Sequence, residues 1–202
     1  ISDWNTSTVT TMANAFRDRA TFNEDLSGWD VGNVRSMNHM FTNASSFNQP
    51  IGNWDVSSVN SMWVMFTGAS SFNQPIGDWN VSKVTSMDKM LCGASSFNQP
   101  IGDWDVSIVT KMDSIFKNAL SFNQPIGDWN TSKVSNMGFM LSGASSFNQT
   151  IGNWEVSSVT NFKEIFKGAT SFNQNISDWN VSAGTDFSNA FNAVTTLSDA
   201  NK

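Results

Sequence analysis

The sequence predicts an α/β solenoid of eight 25-residue coils, each a strand, a turn, a short helix and a second turn, with the strands forming a short parallel sheet. Three observations predict it. Trp4, Trp29, Trp54, Trp79, Trp104, Trp129, Trp154 and Trp179 recur every 25 residues. Eight units (1–25, 26–50, 51–75, 76–100, 101–125, 126–150, 151–175 and 176–200) account for residues 1–200 as one domain without an insertion. A unit this short cannot bury a core alone, so each must stack on its neighbours.

The unit 51–75 gives the expected elements in order. Ile51, Trp54 and Val56 have the L-x-x-L-x-L spacing of a leucine-rich-repeat-like coil. Trp54 and Val56 alternate with polar neighbours, which predicts a short strand with one buried face. Ser57 is placed to cap a helix, and Val59, Met62, Met65, Phe66 and Ala69 follow at helical spacing. Gly68 stands where a helix ends in a left-handed residue. Asn43, Gly93, Asn118, Gly143 and Gly168, its equivalents, also tolerate positive φ. Phe72 returns to the core, and Pro75 stiffens the entry to the next strand. Strand spacing sets a rise of about 4.8 Å per coil and a rod roughly 35 Å long.

Composition narrows the function. Charged residues are only 14% of the 202, and 16 Phe and nine Trp with no Tyr suggest a copied pattern. A net charge of −6 without a basic stripe excludes nucleic acid and anionic membrane as partners. One Cys and one His allow no internal disulfide and support no Cys/His zinc site. No apolar run reaches the roughly 20 residues of a membrane helix. No signal peptide is visible and the chain opens inside a repeat, which reads as a segment of something longer.

The motif S-F-N-Q-P-I-x-x-W-D/N-V-S, seen in "SFNQPIGNWDVS" at 46–57, carries a family resemblance. Over essentially its whole length the chain resembles BspA-like leucine-rich-repeat surface proteins, and more narrowly the 25-residue mycoplasma-type lipoprotein repeat, a domain of unknown function. The resemblance implies a non-enzymatic repeat protein, displayed on the cell surface or secreted, that contacts a protein or glycan on another cell or in the matrix. It supplies no ligand and no binding residues. The end units depart from the motif: Arg19, Glu24 and Asp25 in the first, and Gly184, Leu197 and "LSDA" in the last, which is either a C-terminal cap or drift.

Catalysis needs unlike groups in unique geometry, whereas nearly every polar residue here has copies. The singletons His39 and Cys92 fall at positions predicted to be exposed, and no P-loop, dinucleotide turn or HExxH motif is present. No enzyme is expected. Candidate binding residues lie in the two columns that flank the Trp, where Asp78, Asp103, Asp128, Asn80, Asp105 and Asn130 gather acid and amide oxygens. They either pin local turns or form an oxygen-rich strip. The strip would take calcium, with Asp103 and Asp105 as metal ligands, or a polyhydroxylated or cationic ligand. The Asn/Gln pairs such as Asn98/Gln99 predict amide ladders. Trp63, Val64 and Phe139 are apolar where other units are mostly polar, and mark a candidate partner surface.

The leading expectation is an adhesion or recognition module. The alternative is a calcium- or carbohydrate-binding module using the Asp/Asn columns. Ice binding through Thr85, Thr110 and Thr160 is a lesser one, because Arg35 and Asn60 interrupt that column.

Overall fold

The computed structural model describes residues 1–198, so the end of the "LSDA" segment and positions 199 and 200 of the last unit lie outside it. Among the described residues there is no helix. Extended pairing is limited to seven single-residue parallel bridges, running from Thr11 with Ser36 to Asn161 with Asp186. The expected α/β strand-turn-helix coil, leucine-rich-repeat-like with a short parallel sheet, is therefore not formed. The fold is irregular and non-helical, a succession of turns in which each 25-residue coil bonds to the next.

The reason is visible in the backbone bonds of one coil. Within it, Trp54, Val59, Met65, Thr67, Ala69 and Phe72 each donate an N–H to the carbonyl three residues earlier. Such bonds close β-turns and not α-helical rings, which run to the fourth residue back. Between these, Met62, Val64, Phe66 and Gly68 donate to the carbonyls of Ser86, Asp88, Met90 and Cys92 in the following coil. Alternate N–H groups of the expected helix thus point along the stack. The chain can do this because it turns left-handed twice per coil. Gly68 has φ +71°, as its residue type predicts, and Val64 has φ +60°.

The second left-handed site has no glycine in any coil. Asn14, His39, Val64, Lys89, Ser114, Phe139, Glu164 and Asn189 occupy it with φ between 51° and 63°. A non-glycine residue there costs about 1–2 kcal/mol. In seven of the eight coils its N–H is satisfied by the next coil, as with Phe139 to the Lys163 carbonyl at 2.7 Å, and that bond replaces the helical one.

The predicted core is buried even though its helix is absent. Ile51, Val59, Met62, Met65, Phe66, Ala69 and Phe72 are fully buried, with Trp54 and Val56 nearly so. A run of three-residue turns brings side chains back to one side at intervals of three and four, which is the spacing that reads as a helix. Coils stack in register. Phe72, Phe97 and Phe122 form a ring column with centroids 5.9 and 6.1 Å apart. Each Trp of the 25-residue column from Trp29 onward donates its indole N–H to the carbonyl at the start of the preceding coil, as Trp104 does to Ile76 at 3.1 Å.

Gly102 and its equivalents hold the closest backbone approach between coils. A Cβ at Gly102 would lie 2.6 Å from the Pro125 carbonyl oxygen. Gly102→Ala is expected to destabilise by about 1–3 kcal/mol, read as a lower denaturant midpoint with an unchanged slope. Serine holds this position only in the first two coils and the last.

Candidate functional site

The acid and amide columns divide into two kinds of site. In the column that follows the Trp, the side chain accepts the N–H two residues on. Ser82 N donates to Asn80 Oδ1 at 3.2 Å, Ser107 N to Asp105 Oδ1 at 3.0 Å and Ser132 N to Asn130 Oδ1 at 3.2 Å. The same contact recurs in every coil, so this column pins turns, as the local reading of the sequence expects. The Ser57 and Ser107 hydroxyls, then their N–H groups, hold Asp55 and Asp105 below the ordinary carboxylate value.

The column that precedes the Trp is different. Asn53 donates to the Ser27 carbonyl at 2.9 Å, but the exposed Asp78, Asp103 and Asp128 have no such tie to the protein. Three successive coils therefore present free carboxylates in register. Asp78 borders a shallow depression of about 480 Å³ lined also by Ser27, Pro50, Gly52, Asn53 and Pro75. Among the described residues, no three His, Cys, Asp or Glu side chains converge tightly enough to hold a metal ion. Of the two carboxylates expected to ligate calcium, Asp103 and Asp105, Asp105 is already engaged by Ser107.

The amide ladder is formed. Asn98 Oδ1 accepts the Asn123 N–H at 2.9 Å and the Gln124 amide at 3.1 Å, and the same pattern repeats on either side. These groups hold coil to coil.

Trp63, Val64 and Phe139 do not form one patch. Trp63 is 42% exposed and Val64 is buried. The Trp63 indole meets the His39 ring edge-on at 4.6 Å. Phe139 lies three coils further along and is half-buried between Lys117 and Lys163, with Nζ atoms 4.6 and 5.7 Å from the ring centre. Asp88, Lys89 and Asp113 come between them in the same columns. His39 and Cys92, expected to be exposed, are both half-buried. Burial, then the charge of Arg17, lowers the His39 pKa, and burial raises the Cys92 thiol.

Two features were not anticipated from the sequence. The first is the segregation of charge around the coil. Counting 25 positions from Ile1, twelve of the 17 acids lie at positions 24, 25, 3 and 5; the eleven among the described residues are all exposed, and no Lys or Arg stands at positions 24 through 7 of any of the eight units. Ten of the 11 cations lie at positions 8–19. The signal is present in the unit numbering of the Lys and Arg residues, which belong to no repeated motif.

The second is Asp88. Its Oδ2 accepts the Ser86 hydroxyl at 3.2 Å, while its Oδ1 is buried without a partner. Burial pushes the carboxyl above its ordinary value, against the Ser86 hydroxyl, the Asp113 N–H and Lys111, and with the charge of Asp113. The equivalent Asn38 instead accepts both Ser61 Oγ and Trp63 N. A raised carboxyl pKa means that Asp88 is tolerated below its unfolded value of 3.8, and that stability is lost as pH rises through the folded value. Asp88→Asn is therefore expected to stabilise at neutral pH by on the order of 1 kcal/mol. The gain should vanish in acid, as measured by denaturant midpoints at the two pH values.

The whole chain matches one family, described as a mycoplasma protein of unknown function, DUF285, over residues 1–102, 50–137 and 92–202. The chain belongs to the DUF285 family. No curated protein matches it. Among the described residues of this DUF285 chain, no helix is long and apolar enough to cross a membrane.

Proposed function

We propose that the chain is a non-enzymatic recognition module, displayed on a cell surface or secreted, whose acidic edge docks a cationic surface of a partner protein. The observation that carries this reading is the charge segregation: eleven exposed carboxylates along one edge, repeated in register and uninterrupted by a cation. A rigid array of like charges attracts an oppositely charged partner from a distance and fixes its orientation. The likeness to BspA-like surface proteins supports the surface location and a role in adhesion. Most other polar side chains, including the amide ladder and the Asx turns, already hold coil to coil.

Binding of a basic peptide or basic protein domain, followed by titration calorimetry at low and high salt, tests the reading. Affinity should fall as salt rises, and the variant carrying Asp78→Asn, Asp103→Asn and Asp128→Asn should lose most of it. Binding that ignores both salt and these three substitutions contradicts the proposal.

The free carboxylates of Asp78, Asp103 and Asp128 favour a second reading, in which calcium sits on the same column and recruits a glycan. A melting temperature that rises in millimolar calcium, with chelator-sensitive glycan binding, would select this reading over the first.

A further inference from the structure

The fourth to seventh coils carry unpaired charge of both signs on separate sides, and we propose that the lysine side of one copy docks against the acidic edge of a second, the two stacks lying side by side. The inference rests on the reading of that edge as a docking surface and names a partner for it. All seven cations of residues 76–175 are lysines at positions 8–17 of their coils. Among the described residues only Lys167 of these is in an ion pair, with Glu164 at 3.0 Å. The other two carboxylates on that side are engaged within the chain: Asp88 accepts from the Ser86 hydroxyl and Asp113 from that of Ser114. On the acidic edge of the same four coils, Asp78, Asp103, Asp105, Asp128 and Glu155 are in no ion pair among the described residues.

Phe139 organises the centre of the lysine side. The ammonium groups of Lys117 and Lys163 lie 4.6 and 5.7 Å from the centre of its ring. Lys117 comes from the coil before it and Lys163 from the coil after, and the Phe139 N–H binds that later coil through the Lys163 carbonyl. Contact with an aromatic ring restrains a long cationic side chain without neutralising it. Less freedom is then lost when a carboxylate arrives. Lys89 and Lys111, in the two coils before Phe139, are exposed and extend the positive side.

A second copy matches this side in spacing as well as in sign. A partner that engages several lysines at once must present anionic groups at the rise of the coil, about 4.8 Å. The acidic edge does so by construction, with Asp78, Asp103 and Asp128 in three successive coils. The longer interval agrees too: Lys83 and Lys133 are two coils apart, as are Asp105 and Glu155. With a net charge of −6, two copies repel in most orientations, so the one that opposes unlike sides is selected. The contact spans about four coils, roughly 20 Å at that rise. So small an interface depends on charge, and association should be weak, reversible and lost in salt. Because the two sides differ, a docked pair keeps one free side of each kind, and association continues beyond the dimer.

Sedimentation velocity at low and at high salt, over a wide range of concentration, is the test. At low salt the sedimentation coefficient should climb with concentration, and at high salt it should stay at that of one chain. The double variant Lys117→Glu, Lys163→Glu and the triple variant Asp78→Lys, Asp103→Lys, Asp128→Lys should each weaken association about tenfold or more. Mixed, the two should recover it, because each offers the other unlike charges; a variant that had lost its fold could not. A wild-type chain that stays monomeric at low salt overturns the proposal. So does association that persists at high salt, and so does a mixture no better than its parts while the wild type associates. A polyglutamate peptide held at Lys117 and Lys163 by a chain that stays monomeric would give that side another partner, and overturns it too. The two readings fail separately, because the double variant keeps the acidic edge and should bind the basic peptide as the wild type does. A wild-type chain that binds this peptide and stays monomeric defeats only the present inference.

Discussion

Phe97→Ala should lower the stability of the fold by about 3–5 kcal/mol, the largest effect of any single substitution considered. Phe97 is fully buried and its ring is stacked between those of Phe72 and Phe122. Its removal leaves a hole that the turns above and below cannot close, because their backbones are tied by bonds such as Ser96 N to Ser70 O and Ser121 N to Ser95 O. Phe22→Ala, in the half-open first coil, should cost well under half as much, since Phe22 is only partly buried. Chemical denaturation of the two variants measures the contrast. In a stack held by nearest-neighbour contacts, the central lesion should also loosen hydrogen exchange most in the coils beside it.

Asn98→Ala should cost about 2 kcal/mol, although it buries no large surface. Asn98 Oδ1 is the acceptor for the Asn123 N–H and for the Gln124 amide. Without it, a half-buried backbone donor loses its partner, at about 1–3 kcal/mol per group. Only the acceptor is required by these contacts, so Asn98→Asp should recover most of the loss while Asn98→Leu should not. Equal losses for the Asp and Leu variants would show that the side chain matters for its shape and not for its oxygen.

Much of this arrangement is legible in the sequence. The interval between tryptophans gives the coil length. The alternation of Trp54 and Val56 with Asn53 and Asp55 gives the buried side correctly, and the residues from Val59 to Phe72 give the core. The amide ladder and the turns pinned by Asp105 and Asn130 follow from side-chain chemistry that acts locally. Gly68 announces its positive φ by being glycine.

The helix fails for a reason that no window of sequence contains. Val64, Lys89 and Phe139 have no preference for a left-handed backbone, yet each adopts it. What selects that conformation is a carbonyl 24 residues further on, as in Val64 N to Asp88 O at 2.9 Å. A contact so distant overrides local propensity. The same blindness affects the site. Val64 looks like an exposed apolar residue when every coil is taken as a helix, and is buried once the backbone turns left-handed. Cys92 and His39 are drawn partly inward for the same reason.

The most direct test of the account is an NMR measurement of scalar couplings transmitted through hydrogen bonds. For the Phe66 amide, the account predicts a correlation with the carbonyl carbon of Met90, to which it donates at 2.8 Å. A correlation with the carbonyl carbon of Met62, four residues back, would mean that the segment is a helix after all and would contradict the account.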